Sequence, residues 1–135
     1  MANEWVPVEL YGLNNGGQVR RYTIADGTAV SKGQLLSLID PRTASASIAT
    51  DTVFAGIAAE DHYANEGVTS VGVWTQGVFE AVASGAIALG LGITGGSVNQ
   101  NQILQAANTS NGAQLIGYTL ETAAVGETVN VRLDL

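Results

Sequence analysis

Helices are almost excluded by this chain's pattern. No window of about twelve residues combines a 3.6-residue apolar period with caps and few glycines. Strand signals are strong instead. At the C-terminus Val129, Val131, Leu133 and Leu135 alternate with Thr128, Asn130, Arg132 and Asp134. Alternate residues of a strand face opposite sides, so this run has one dry face and one wet face. Residues 114–121 read as a second strand with Ile116, Tyr118 and Leu120 on one face. Ala124-Val125-Gly126-Glu127 reads as the turn joining the two into a hairpin. Residues 19–24, 34–39, 53–59, 68–75 and 78–83 are further candidate strands, and residues 100–107 are a candidate short helix.

Glycine contributes 17 residues and alanine is a little commoner. Small side chains let backbones approach closely, and glycine supplies turns and bulges. The expected fold is all-β: a small barrel-like or sandwich-like domain with at most one or two short helices. A faint internal echo runs through it. Ala25-Asp26-Gly27-Thr28-Ala29 resembles Ala83-Ser84-Gly85-Ala86-Ile87, and Val53–Glu60 resembles Gln114–Glu121, in the same order and at similar spacing. Duplication of a turn–strand–loop–strand unit would produce this pattern. The echo is short and built of common residues, so chance similarity is the competing reading.

The first 17 residues differ from the rest. Trp5, Val6, Pro7, Val8, Leu10 and Tyr11 form an extended apolar stretch, and Pro7 disfavours both a helix and a central strand. Asn14-Asn15-Gly16-Gly17 then supplies a joint. One division of the chain is an N-terminal arm at residues 1–17 and a β-rich body at residues 18–135. On that reading Trp5, Val6, Val8, Leu10 and Tyr11 contact a partner, with Trp5 as the anchor. The other reading makes them the first strand of the body.

With 135 residues the chain suits one domain with an adequate core. It has no cysteine, which excludes disulfides and thiolate metal sites. Its net charge of −7, from 12 acids and 5 bases, opposes binding to a phosphate backbone. Charged residues are only 13% of the chain, about half the usual share, which fits a surface partly covered in an assembly. The N-terminus lacks the basic and apolar regions of a signal peptide. The most apolar window, residues 81–93, is interrupted by glycines and shorter than the ~20 residues of a spanning helix. The chain thus reads as soluble, made in a cytoplasm, with neither nucleic acid nor membrane as a partner.

Candidate chemistry is sparse. His62, the single histidine, lies in Glu60-Asp61-His62-Tyr63-Ala64-Asn65-Glu66-Gly67, with no G-x-S-x-G elbow in the chain. It reads as a polar residue in a loop, and His62→Ala is expected to leave the fold nearly intact. Glu60, Asp61 and Glu66 lack the spacing of a calcium loop. Gly90-Leu91-Gly92-Ile93-Thr94-Gly95 has the letters of a dinucleotide fingerprint, but no helix pattern or suitably placed acid follows. No catalytic residue, cofactor or metal is expected.

More informative is Gly27-Thr28-Ala29-Val30-Ser31-Lys32-Gly33-Gln34-Leu35-Leu36, of the form G-x-x-V-x-x-G-x-x-L. Such strings occur in carrier domains and other small β-barrels, where the glycines make turns and the valine enters the core. Gly27 and Gly33 are therefore expected turn glycines, as are Gly56 and Gly117. Lys32, the chain's one lysine, lies inside the turn string and not at a hairpin tip where a carrier lysine would be. A carrier or small-molecule-binding barrel of bacterial metabolism is the alternative function.

Residues 24–36 and Asp40-Pro41-Arg42-Thr43-Ala44-Ser45-Ala46-Ser47 resemble the tailed-phage capsid decoration, or cement, proteins. The resemblance continues through Val53–Ala59, Thr75–Glu80 and Leu115–Tyr118, covering roughly residues 18–135, with Arg42 its most distinctive charged position. It implies a small β-barrel-like domain, usually trimeric, on the outer surface of a phage head. Such proteins bind the major capsid protein where subunits meet, resist the pressure of packaged DNA, hold no cofactor and catalyse nothing.

Overall fold

The computed structural model describes residues 4–10, 19–46, 53–95, 101–105 and 116–134. Among them are eleven strands and no helix: β1 (Val6–Leu10), β2 (Val19–Thr23), β3 (Leu35–Asp40), β4 (Thr43–Ser45), β5 (Phe54–Ala58), β6 (Ser70–Trp74), β7 (Gln76–Ala83), β8 (Gly92–Gly95), β9 (Gln102–Gln105), β10 (Gly117–Thr119) and β11 (Thr128–Asp134). The candidate helix at 100–107 is corrected: its described part is β9, held by β8 on one side and β7 on the other. Tertiary pairing overrides a weak local preference there.

The strands make two barrels of one topology. In the first, β2, β4, β3, β5 and β6 close into a ring. In the second, β7, β11, β10 and β8 lead to β9, which pairs back onto β7. The correspondence is complete, pair by pair. β2–β4 and β7–β9 are the parallel contacts, at Thr23↔Thr43 and Val82↔Gln102. Leu36↔Gly56 corresponds to Ile93↔Gly117, and Arg20↔Val73 to Phe79↔Val131. Isolated bridges match as well: Val30↔His62 in one barrel, Ile87↔Ala123 in the other. The fold is an internal duplication.

The two interiors are filled by the same positions with sizes exchanged. Ile24, Val30, Leu36, Ala44, Ala55, Val71 and Val73 line the first. Ala83, Ile87, Ile93, Ile103, Ile116, Val129 and Val131 line the second. Ile24 is large where Ala83 is small, and Ala44 and Ala55 are small where Ile103 and Ile116 are large. Each barrel keeps its interior filled, the condition a core imposes on its substitutions.

A second layer of packing joins the barrels. Leu35, Phe54, Ile57 and Trp74 belong to the first barrel yet pack into the core of the second. Phe79 is the junction: its ring lies 5.8 Å from that of Trp74 and 6.1 Å from that of Trp5. Asn101 ties the backbones, its Oδ1 accepting from Leu35 N at 2.9 Å and its carbonyl accepting from the Trp5 indole at 2.9 Å.

The N-terminal residues follow the first-strand reading where they are described. β1 pairs antiparallel with β7, Pro7 opposite Phe79, with a bulge between Pro7 and Glu9. β1 is an edge strand, where proline's missing N–H is tolerated. Tyr11 and Asn14–Gly17 lie outside the described residues.

The C-terminal hairpin has Val129, Val131 and Leu133 buried as expected, and the turn closes with Glu127 N donating to Ala124 O at 3.1 Å. The face expected for β10 is corrected. Ile116 is buried, but Tyr118 and Leu120 are 38% and 42% exposed, and the inward residue is Thr119. Thr119 stands where Ala58 stands in the first barrel, and its hydroxyl donates to Ala88 O at 3.0 Å, satisfying its polar atom inside.

Candidate functional site

His62 borders a cleft of about 340 Å³ with Ser31, Gln34 and Asp61. His62 is not a loop residue in solvent. It is 4% exposed, its backbone pairs with Val30 in both directions, and its ring spans two segments. Nδ1 lies 2.6 Å from Thr28 O and Nε2 lies 2.7 Å from Val68 O. Carbonyl oxygens only accept, so the imidazolium satisfies both and the neutral ring one. Both ring nitrogens are turned to backbone carbonyls and not to a serine hydroxyl. The expectation that His62→Ala is silent is therefore corrected.

The neighbouring acids are also engaged. Asp61 Oδ1 accepts from Lys32 N at 2.8 Å. Glu60 Oε1 accepts from Arg21 Nη1 at 2.7 Å and from Gly72 N at 2.9 Å. Gln34 receives Ser31 N and donates to Ala46 O. These polar groups close turns and loops. Lys32 sits in the tight turn before β3, its Nζ 5.6 Å from the Trp74 ring centre. Among the described residues no group of three or more His, Asp or Glu could hold a metal ion.

The residues proposed for partner contact divide sharply. Trp5 is 2% exposed and belongs to this chain's own core. Val6 and Val8 are 54% and 53% exposed, and Leu10 is half-buried against the core. Trp5 is fixed by two hydrogen bonds and a ring contact: its N donates to Gly33 O, its indole to Asn101 O, and its ring meets Phe79. The apolar character read as a partner anchor is used internally, because Phe79 and the cluster around it receive Trp5 in a way that sequence spacing does not reveal.

The turn glycines also divide. Gly33 is a true turn residue, with φ +91° and the Trp5 carbonyl 2.5 Å from where a Cβ would be. Gly27 lies in a turn but has open surroundings, its nearest neighbour 3.8 Å from an added Cβ. Gly56 and Gly117 are not turn residues; they sit inside β5 and β10. Each lets a carbonyl of the adjoining strand come close: Trp74 O at Gly56, Arg132 O at Gly117.

Sequence reasoning missed an exposed apolar cluster on the second barrel: Leu89 at 62%, Leu91 at 41%, Tyr118 at 38% and Leu120 at 42%. Placing Ile116, Tyr118 and Leu120 on one buried face hid it.

The profile of the phage cement protein family matches residues 14–135. The chain belongs to the phage cement protein family. Among solved structures it is similar to the N-terminal base of the head fibre protein gp8.5 of bacteriophage phi29, with 20% identity, a TM-score of 0.53, and coverage of 86% of this chain and 94% of that one. At that identity the likeness is one of fold. No curated protein gives a match. This cement protein is a structural component of a phage capsid, built as two fused barrels.

Proposed function

We propose that this cement protein decorates the outer surface of a phage head at capsomer junctions, as a homotrimer bound to the major capsid protein, and stabilises the shell against the pressure of packaged DNA. It is made in the host cytoplasm and works as a structural protein, not an enzyme. The family match over residues 14–135 carries the reading. The architecture suits it: paired barrels sharing a core layer make a stiff body, and polar groups that could do chemistry are spent on the backbone.

The contact with the capsid is proposed to include the open edge at β1. Val6 and Val8 are exposed there, and an edge strand can add an extended segment of a partner through main-chain hydrogen bonds. Pro7 interrupts that edge, so the added segment is short. The carrier alternative is not favoured, because Lys32 lies against Trp74 in a turn whose backbone is bonded to Asp61.

Co-sedimentation of the purified protein with heads that lack it tests the reading. Saturable binding at a fixed ratio to the major capsid protein is expected. Binding absent, or equal on free capsid monomers and on assembled heads, contradicts the junction site.

A further inference from the structure

The duplication shows what covers one barrel and leaves the same face of the other bare. On the first barrel, Leu35, Ile57, Ala59 and Trp74 pack into the cluster of the second, with Lys32 beside Trp74. Leu35 and Ile57 are fully buried there, and Ala59 packs on the shared cluster. Strand register gives their counterparts on the second barrel: Leu89, Gly92, Tyr118, Leu120 and Arg132. Backbone bonds repeat there too, with Gly33 N to Ala58 O matched by Gly90 N to Thr119 O. This second face carries the exposed cluster of Leu89, Leu91, Tyr118 and Leu120.

The element that does the covering also has a counterpart. Phe79 and Asn101, at one end of the second barrel, fill the first barrel's face. The same end of the first barrel presents Val19 and Arg20 in place of Val78 and Phe79, and Arg42 in place of Asn101. Arg42 and Asn101 share even their left-handed backbone, at φ 52° and 66°. Val19 is 46% exposed, and Arg20 and Arg42 are exposed.

We infer that the Leu89–Tyr118–Leu120 face of one copy receives the Val19–Arg20–Arg42 end of a second copy, repeating between molecules the barrel-to-barrel step made within one. The end is basic through the exposed Arg20 and Arg42, and the barrel that offers the face is net acidic, with four acids against Arg132 in residues 76–135. Arginine and tyrosine are enriched at interface hot spots, and a guanidinium stacks on such a ring. Because the two faces differ, the contact is heterologous, and a trimer is one closed ring it can form. The inference depends on the homotrimer in the function proposed above and not on attachment to the capsid.

The test uses the full chain and two double variants, each checked for an unchanged melting profile. V19E/R20E spoils the end, and L89K/Y118K, which sets like charge against Arg20 and Arg42, spoils the face. Sedimentation velocity is expected to show the unsubstituted chain as an oligomer and each variant as a monomer, with self-affinity lowered by roughly 100-fold or more, as for the loss of two anchors. Mixed in equal amounts, the variants retain one good end and one good face between them, so a dimer of one copy each, and nothing larger, is expected. A trimer that survives either variant, or a mixture that stays monomeric, overturns this contact while leaving the trimer itself standing. An unsubstituted chain that is monomeric up to its solubility overturns both. Head binding is scored separately, so an oligomer that leaves heads bare counts against capsid decoration only.

Discussion

Glu60 and Glu121 do the same work in the two barrels. Glu60 Oε1 accepts the N–H of Gly72 at 2.9 Å, and Glu121 Oε1 accepts the N–H of Asn130 at 3.0 Å. Each carboxylate lies just beyond β5 or β10 and bonds the last strand of its barrel, β6 or β11. The repeated Glu at the end of each echoed segment is thus a repeated main-chain contact.

Glu60→Ala is expected to cost more than Glu121→Ala. Both lose a charge-assisted bond, on the order of 1–3 kcal/mol. Glu60 also holds Arg21 at 2.7 Å, but that pair is about half exposed and adds only ~0–1 kcal/mol. Urea unfolding of both variants checks the ranking; a costlier Glu121→Ala contradicts it.

His62→Ala is expected to destabilise the protein by about 1–3 kcal/mol, since it leaves the carbonyls of Thr28 and Val68 without their donor. The natural counterpart Ala123 shows that the position accepts alanine when its surroundings are built for it. An unchanged denaturation midpoint contradicts the assigned role.

Trp5→Ala should cost about 3–5 kcal/mol, the range for removing a buried large aromatic. Deleting residues 1–13 should lower thermal stability similarly, because Phe79 loses the Trp5 ring and its strand loses β1. A truncated protein as stable as the full chain contradicts the core placement of Trp5. Val6→Asp with Val8→Asp should instead leave stability within about 0.5 kcal/mol and weaken head binding.

Glycine substitutions should separate cleanly. Gly27→Ala should fall within about 0.5 kcal/mol of the unsubstituted chain. Gly117→Ala and Gly56→Ala push a Cβ into a neighbouring carbonyl, so strands must part and the loss should exceed about 3 kcal/mol. Thermal melts of the three variants decide it; a tolerated Gly117→Ala contradicts the close approach.

Much of the fold was legible because inward positions repeat with period two. Val129, Val131 and Leu133 announced β11, and β2, β3, β5, β6 and β7 were placed within one or two residues. The echo between residues 53–60 and 114–121 was real duplication, thin because large and small residues trade places across it: Ala55 for Ile116, Ala44 for Ile103. β4 is too short to show a period, and β8 is both short and glycine-bounded. Trp5 misled for a physical reason. An apolar residue on an extended segment looks the same whether its pocket belongs to a partner or to the cluster around Phe79 of its own chain. His62 misled likewise, since two long-range carbonyls decide its role and neither is adjacent in sequence.

Stabilisation of the filled head is the claim that most needs measurement. A protein that binds only the intact shell stabilises it by about 2.7 kcal/mol per site at a hundredfold excess over Kd. Heads stripped of this cement protein, and the same heads after its return, should be heated with a dye that reports released DNA. Re-decorated heads are expected to release DNA at a higher temperature, with the shift saturating as the sites fill. Coincident release curves at full occupancy would contradict the account.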